Sequence, residues 1–445
     1  MKKAILFCLI IFPCFGASAE TVNLEQARTL ALANSRSLAR YNLAIRSAVL
    51  DERNQLYSML PSVSAEYSAS MNYLDRDWGF VNPVDTLNVG ATFSVTQIIF
   101  AGGRYFVQKT INAIATESVR NEALAEYFNV LDETDNAYYA VLEAAASLEA
   151  AESSLQTAAL SLSMAEIRQS GGMINQGDYL RALADKEERE SSRNQARRNL
   201  RLNTARLTAL TGIPETAELA PIDFAAYEEM LTRLAGISDE EAGTLYARFW
   251  EILARSNPSL ERAALNNRRA EKNLSLARRE YSPTLSATVF SNALNYSPTG
   301  GFSNQAGGGI SIRGSIPVDF WVMANRLEKS KIARDSAALD YLGAEASLET
   351  DLQSALINAI AQAESVLSSR RTLEYTERHF EYVMERYRLS QSSVSDFGEA
   401  SSLLITARNN HIKASYGFLQ SLSRLRSLGA IQSEEQLSAL LSGGA

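Results

Sequence analysis

Few residues in this chain are of the types that do chemistry. The chain has 445 residues and only two histidines, His379 and His411. Each sits in a stretch that reads as helix, and neither has a second metal ligand four residues on, so neither starts a helical metal site. Gly307-Gly308-Gly309 is the one glycine run that invites comparison with a phosphate cradle. It stands between strand-like segments, with no Lys and no helix start after it, so a nucleotide site is not expected there. No grouping of acid, base and nucleophile is found. The sequence reads as that of a non-enzyme, with no catalytic residue, no cofactor and no metal. Any work done on a solute must be powered by a partner.

The two cysteines, Cys8 and Cys14, lie in a segment that combines Met1-Lys2-Lys3, an apolar run from Ala4 to Phe15 and Ala17-Ser18-Ala19. This is the pattern of a secretory signal peptide over residues 1–19, with the mature chain starting at Glu20. Export then removes both thiols. Losing Lys2 and Lys3 takes the formal charge from −8 to −10, and an acidic chain without basic clusters argues against a nucleic-acid partner. No later stretch reaches the roughly 18 apolar residues of a membrane-spanning helix. Only nine prolines, with abundant Ala, Leu, Ser, Arg and Glu, suit long helices.

The elements come twice. Ala33-Asn34-Ser35-Arg36-Ser37-Leu38 is echoed by Arg255-Ser256-Asn257-Pro258-Ser259-Leu260, and Pro61-Ser62-Val63-Ser64-Ala65 by Pro283-Thr284-Leu285-Ser286-Ala287, both 222 residues on. Arg168 and Asp178 are echoed by Arg386 and Asp396 at 218. The first repeat is expected over 20–212, the second over 244–431, with a linker at 213–243 and a tail at 432–445. Each repeat opens with a broken helix, Pro258 taking a first helical position. After Pro61, the odd positions Val63, Ala65, Tyr67, Ala69, Met71 and Tyr73 are apolar and the even ones polar, a period of two that marks a strand with unlike faces. Leu87, Val89, Ala91, Phe93 and Val95 repeat it, giving a hairpin over about 62–98. A second, noisier hairpin is expected over about 284–317, with Leu285, Ala287, Val289, Ile310, Ile312 and Ile316 on one face. Long helical stretches follow each hairpin, from Arg104 to about Ser170 and from Arg326 to about Ser390; 65 residues span about 98 Å. Leu148, Ala151, Leu155, Ala158, Leu162 and Ala165 form a heptad-like seam that needs a helix alongside. Partners are available at Asp178 to Thr211 and Glu399 to Leu428, so helical hairpins are expected over about 104–212 and 325–429.

Strands of ten to twelve residues with one apolar face have the length that crosses an outer membrane. Four strands cannot close a barrel, and open edges are not tolerated in lipid, so such a chain must oligomerise. Small polar residues on the other face suit a water-filled lumen, and Tyr67, Tyr73, Trp78 and Phe80 could form part of an interfacial aromatic girdle. A soluble β-sandwich joined to coiled coil is the alternative on pattern alone.

The order of helix, break, helix, Pro, hairpin, long helix, tip loop and helix, given twice, resembles the TolC-like outer-membrane efflux protein family (outer membrane factors). The residues that carry the resemblance are Leu24-Glu25-Gln26-Ala27 with Leu30-Ala31-Leu32, Leu60-Pro61-Ser62, Phe100-Ala101-Gly102-Gly103-Arg104 and the two tip loops. It implies a mainly α protein with a membrane β-barrel part. Long coiled-coil helices would form a periplasmic α-barrel, and four strands per chain would contribute to a twelve-stranded barrel of a homotrimer. It further implies a duct of a tripartite efflux or type I secretion system, docked to a periplasmic adaptor (membrane fusion protein) and an inner-membrane transporter, and set in outer-membrane lipid with a large periplasmic portion. A soluble periplasmic coiled-coil adaptor is the alternative, but it has no need of two amphipathic hairpins.

By the same resemblance, acids just after the second tip loop ring the periplasmic aperture. Asp396 and Glu399 match, and their spacing puts both on one helix face, where threefold symmetry would stack two acidic rings that favour cations. Asp and Glu also simply stabilise helix starts. Asp178 is either a helix cap or the acceptor of a bond from Tyr387 that locks the tip. Ser392 stands where some relatives have arginine. The tips Gly171-Gly172-Met173-Ile174 and Leu389, Ser390 and Val394 are the expected adaptor contacts, although glycine there also suits a plain turn. The second strand-to-helix junction, 317–325, lacks the Gly-Gly of the first, so its path is left open.

Overall fold

A computed structural model of the chain describes residues 21–72, 86–297, 301–303 and 307–442. The expected signal peptide therefore lies outside the described residues, as do Tyr73, Trp78 and Phe80. The chain divides into two units, one of Met1–Ser35, Phe128–Ala247 and Ser354–Ala445, the other of Arg36–Tyr127 and Arg248–Gln353. Two long helices, α3 (Arg104–Ser170) and α8 (Phe320–Arg388), belong partly to each. Their lengths, 67 and 69 residues, match the expected glycine- and proline-poor stretches.

The second unit holds α2 (Arg36–Tyr57), α7 (Pro258–Arg279) and an antiparallel sheet of β1 (Ser62–Asn72), β2 (Thr86–Phe100), β3 (Thr284–Ser297), β4 (Gly301–Ser303) and β5 (Gly307–Ser315). β4 and β5 both pair with the same side of β3, so they are two pieces of one fourth strand. The order is β1, β2, β3, then β4 and β5. The period of two becomes two unlike faces. Val63, Val95, Val289 and Ile310 lie in one cross-strand row, and Ser62, Thr96, Thr288 and Ser311 in the next on the opposite face. On that polar face hydroxyls bond across strands, Ser64 to Ser94 at 2.7 Å and Thr96 to Thr288 at 3.0 Å, and Thr92 donates to Asn292 at 3.0 Å. Cross-strand pairs of this kind fix the register.

At the first strand-to-helix junction the chain turns on Gly102 and Gly103, with φ of +61° and +71°. A Cβ on Gly102 would lie 2.3 Å from that of Ser282, and one on Gly103 would lie 2.4 Å from the Arg279 guanidinium, which donates to the Gly102 carbonyl at 2.9 Å. Both glycines are needed for conformation, and Gly102 also for space, since the Cβ of Ser282 is fixed to its backbone. The second junction is built without them. Pro317 and Val318 lead to Asp319, whose carbonyl accepts from the amides of Val322 and Met323 at 3.0 and 3.1 Å, so α8 starts at Phe320 rather than near Arg326. Ile316, Val318, Phe320 and Trp321 are left exposed there, Trp321 by 72%.

The first unit contains α1 (Leu24–Asn34), α4 (Gln176–Thr211), α5 (Glu228–Ala235), α9 (Val394–Leu428) and α10 (Glu434–Ser442); α6 (Asp239–Ser256) is divided between the units. The region expected as linker holds α5 and a short 3-10 turn, Phe224–Tyr227, and the expected tail holds α10. The core of this unit gathers Leu24, Ala27, Tyr138, Tyr139, Leu207, Ile213 and Leu419. Val22 bridges to Leu219, and the Tyr138 hydroxyl reaches the carbonyls of Ala220 at 2.7 Å and Val22 at 3.0 Å. Burial pushes that hydroxyl up to about 12. The α3 seam is rotated from the expected one. Its buried positions are Ser154, Ala158, Ser161, Ala165 and Arg168, while Leu148, Leu155 and Leu162 flank it half-buried. Small side chains take the centre where helices approach closely, and leucines close the sides.

Candidate functional site

The two helical hairpins of the first unit end in turns that are copies of each other at the offset of 218 seen in the sequence. In the first, Gly171 donates to the Ile167 carbonyl, Gly172 to Gln169 and Met173 to Arg168; in the second, Leu389 donates to Glu385, Ser390 to Tyr387 and Gln391 to Arg386. Gly172 has φ +69° and its counterpart Ser390 has φ +61°, so a serine occupies a left-handed position at a cost of about 1–2 kcal/mol. The following helices are capped alike. Asn175 accepts from the amide of Asp178 at 2.9 Å, and Ser393 from the amide of Asp396 at 3.1 Å.

Asp178 and Asp396 are therefore equivalent third residues of α4 and α9. Asp396 completes a capping box, accepting from the Ser393 amide at 3.1 Å and from the Ser392 hydroxyl at 3.2 Å. These bonds, that of the Ser393 amide foremost, hold its carboxyl below the usual aspartate value. Asp396 and Glu399 are both exposed and three residues apart on α9. Ser392 thus serves the cap.

The expected bond from Tyr387 to Asp178 is not made within the chain. Tyr387 is buried in the tip core with Ala165, Ala182, Val383, Val394, Phe397 and Ala400. Its hydroxyl points back along α3, 3.5 Å from the Ser161 carbonyl, and its ring stacks on Phe397 with centroids 4.8 Å apart. The partner that fastens it is Arg168. This guanidinium lies 4.2 Å from the ring centroid and also donates to the Tyr387 carbonyl. Spacing marked Arg168 only as a repeat echo, because a cation stacked on a ring from another helix leaves no local pattern. Two further bonds join α4 to α9, from Arg181 to Ser395 at 3.1 Å and from Arg189 to Ser402 at 2.6 Å.

Of the residues expected to make contacts at the tip, Gly171, Gly172, Met173, Leu389 and Ser390 are exposed and Ile174 is half-buried. Val394 is different: it is buried under the turn and supports it from inside. Met173 and Leu389 are the large apolar groups presented outward.

A second constellation in this unit was not foreseen. Asp135 of α3, fully buried, accepts from Arg28 Nε at 2.6 Å, from the Arg28 terminal nitrogen at 2.8 Å and from Arg426 at 2.6 Å. Ser423 Oγ is 2.9 Å from a carboxylate oxygen of both Asp135 and Asp132. Glu25 pairs with Arg28, and Glu434 of α10 lies 3.4 Å from it while accepting from the Tyr227 hydroxyl at 3.1 Å. Burial pushes Asp132 up, opposed by its bond from Ser423. Five segments, α1, α3, α9, α10 and the turn at Tyr227, are tied at this one place. The sequence offers no signal for it, since its members are spread from residue 25 to residue 434.

In the second unit, Val63, Tyr67, Phe93, Ile310 and Ile312 are exposed on the apolar sheet face. β1 and the β4–β5 strand each have one side without a strand partner among the described residues. No helix among those residues is long and apolar enough to cross a membrane.

The profile of the family described as "Outer membrane efflux protein" matches residues 27–213 and 251–430, one segment for each repeat. Among solved structures, the chain superposes on a membrane protein from Pseudomonas aeruginosa with a TM-score of 0.76 at 17% identity, covering 91% of this chain and 90% of that one. It superposes on the Campylobacter jejuni CmeC outer membrane channel with a TM-score of 0.75 at 16% identity, covering 94% and 88%. For the outer membrane protein VceC of Vibrio cholerae the TM-score is 0.72 at 15% identity, covering 91% and 96%. A sequence search of the curated proteins gave no match. At such identities the superpositions establish a shared fold, that of the TolC-like α-barrel and β-barrel channels.

Proposed function

Since the chain belongs to the outer membrane efflux protein family, we propose that three copies form a duct through the outer membrane, passing solutes delivered by an inner-membrane pump through a periplasmic adaptor. The observation that carries this reading is the sheet. Its apolar face bears no charge, its other face is mostly hydroxyls and amides with the two charges Glu66 and Arg313, and both outer strands are without a partner on one side among the described residues. In lipid, unpaired strand edges are not tolerated. Antiparallel addition of further copies satisfies them, and three copies give twelve strands with the apolar face toward lipid and the polar face toward water.

On this reading the exposed Phe320 and Trp321, with Phe100 and Phe106 at the other junction, mark the periplasmic boundary of the membrane, where aromatic side chains are favoured. Expectation had put the girdle on Tyr67, Tyr73, Trp78 and Phe80; only Tyr67 is described, exposed on the apolar face. The exposed Asp396 and Glu399 become the acidic rings of the periplasmic aperture. Met173 and Leu389 offer apolar contact to the adaptor, while Arg168 and Tyr387 hold the two hairpins of a protomer together. The first experiment is conductance in planar bilayers. The purified protein is expected to form cation-preferring channels, and Asp396→Asn with Glu399→Gln to weaken that preference. Absence of channels from well-folded protein would contradict the reading.

A further inference from the structure

The strands contain one acid and one base. Glu66 of β1 and Arg313 of β5 are the only charged residues in the five strand segments. Both lie on the polar face. Glu66 pairs with Thr92, in a row continued by Asn292 and Gly307; Arg313 pairs with Ser286, which pairs with Ile98. Both side chains are exposed. A charge on a face otherwise lined mostly by hydroxyls and amides, with Phe290 and Ile98 among them, is not needed for pairing, and on the opposite face it would be excluded by lipid.

We propose that Arg313 and Glu66 set the charge selectivity of the barrel lumen, Arg313 forming a threefold anion-attracting ring at its helix-proximal end and Glu66 a cation-attracting ring further along. This rests on the trimeric barrel of the proposed function. The rows of the two residues are six positions apart along the strand, counted from Gly307 to Arg313. At about 3.3 Å per residue that is about 20 Å along the strand direction, and the two residues also stand three strands apart across the sheet, about 14 Å. The Debye length is about 8–10 Å at physiological salt, so the rings do not cancel and a solute meets them in turn. Arg313 lies two residues before the end of β5, so a solute arriving from the helical part meets the arginines first. The arginines thus oppose, at that one level, the cation preference set by the acidic rings at the aperture and at Glu66.

The test is the reversal potential of reconstituted channels under a potassium chloride gradient. Arg313→Ser should lower the chloride-to-potassium permeability ratio by about threefold in 0.1 M salt, and by more as salt is reduced; Glu66→Gln should raise it. Because Cys8 and Cys14 are the only cysteines and precede the expected mature start, Arg313→Cys gives a single thiol. A trimethylammonium thiosulfonate applied in water should restore the parental ratio, whereas Ile312→Cys, on the apolar face, should not react. Conducting Arg313→Ser trimers with an unchanged ratio would overturn the selectivity proposal and leave the barrel standing. Folded parental protein that forms neither trimers nor channels would overturn both.

Discussion

Asp135→Asn should be the most damaging isosteric change in the first unit. The carboxylate is fully buried and accepts four hydrogen bonds, two from Arg28 at 2.6 and 2.8 Å, one from Arg426 at 2.6 Å and one from Ser423 at 2.9 Å. Asparagine keeps the shape but has a single acceptor oxygen, and it turns an amide donor toward donors. Two guanidiniums, with side chains 7% and 5% exposed, are then left in a low-dielectric site with their shared anion gone. Removing one partner of a buried ion pair costs about 3–5 kcal/mol. Arg28 keeps Glu25 and Glu434, both substantially exposed, which places the expectation near the lower end, about 3 kcal/mol. That corresponds to roughly 100-fold in a rate or population. An assembled membrane protein unfolds irreversibly, so the quantity to measure is the rate of helix loss in urea, by far-ultraviolet circular dichroism in detergent. An acceleration approaching 100-fold is expected. The combination Arg28→Met, Asp135→Leu and Arg426→Met should recover most of the loss, because an uncompensated charge rather than a missing bond is the cause. Asp135→Asn within threefold of the parent, or a triple variant no better than the single, would refute this reasoning.

Asp132 has its carboxyl raised by burial. A carboxyl with a raised folded value opposes folding once ionised, so the parent loses stability as pH climbs from the usual aspartate value toward the raised one. Asp132→Asn should therefore unfold more slowly than the parent at pH 7–8, with the advantage fading on acidification; denaturation rates across pH 4–8 check this. Arg168→Gln should loosen the tip by removing a cation–π contact worth about 0.5–2 kcal/mol, seen as higher single-channel conductance with unchanged assembly. Ser390→Gly should relieve the left-handed strain and resist tip proteolysis at least as well as the parent, whereas Ser390→Val should be cut faster. Gly102→Ala places a Cβ 2.3 Å from that of Ser282 at a positive φ and should block assembly; gel filtration in detergent reports it.

Periodicity carried most of the fold. The alternation after Pro61 and again from Leu87 marked strands because each row must keep one face apolar, and the echo of Arg168 and Asp178 in Arg386 and Asp396 marked two tip turns that prove to be the same turn. What stayed hidden was set by contacts between distant segments. Arg28 and Arg426 look like solvated helix residues until Asp135 is placed between them. The α3 seam was expected to alternate leucine with alanine; Ala158 and Ala165 are buried, but Ser154 and Ser161 are buried beside them while Leu148, Leu155 and Leu162 stay half-buried. At 317–325 the missing Gly-Gly was legible, yet its replacement, an Asp319 carbonyl opening α8 at Phe320, depends on the surrounding geometry. Within the chain Tyr387 meets the Arg168 guanidinium above its ring, a contact between helices distant in sequence, rather than Asp178.

The proposed duct requires closure of one copy's unpaired strand edges by other copies in a membrane. Its most direct test is the mass of the protein part of the detergent-extracted particle, by light scattering with detergent correction. Three chains per particle, released from outer membranes only by detergent, is the predicted result. A single chain recovered from the periplasm without detergent would contradict it, since an isolated sheet with two open edges and an uncharged outer face has no place in a membrane.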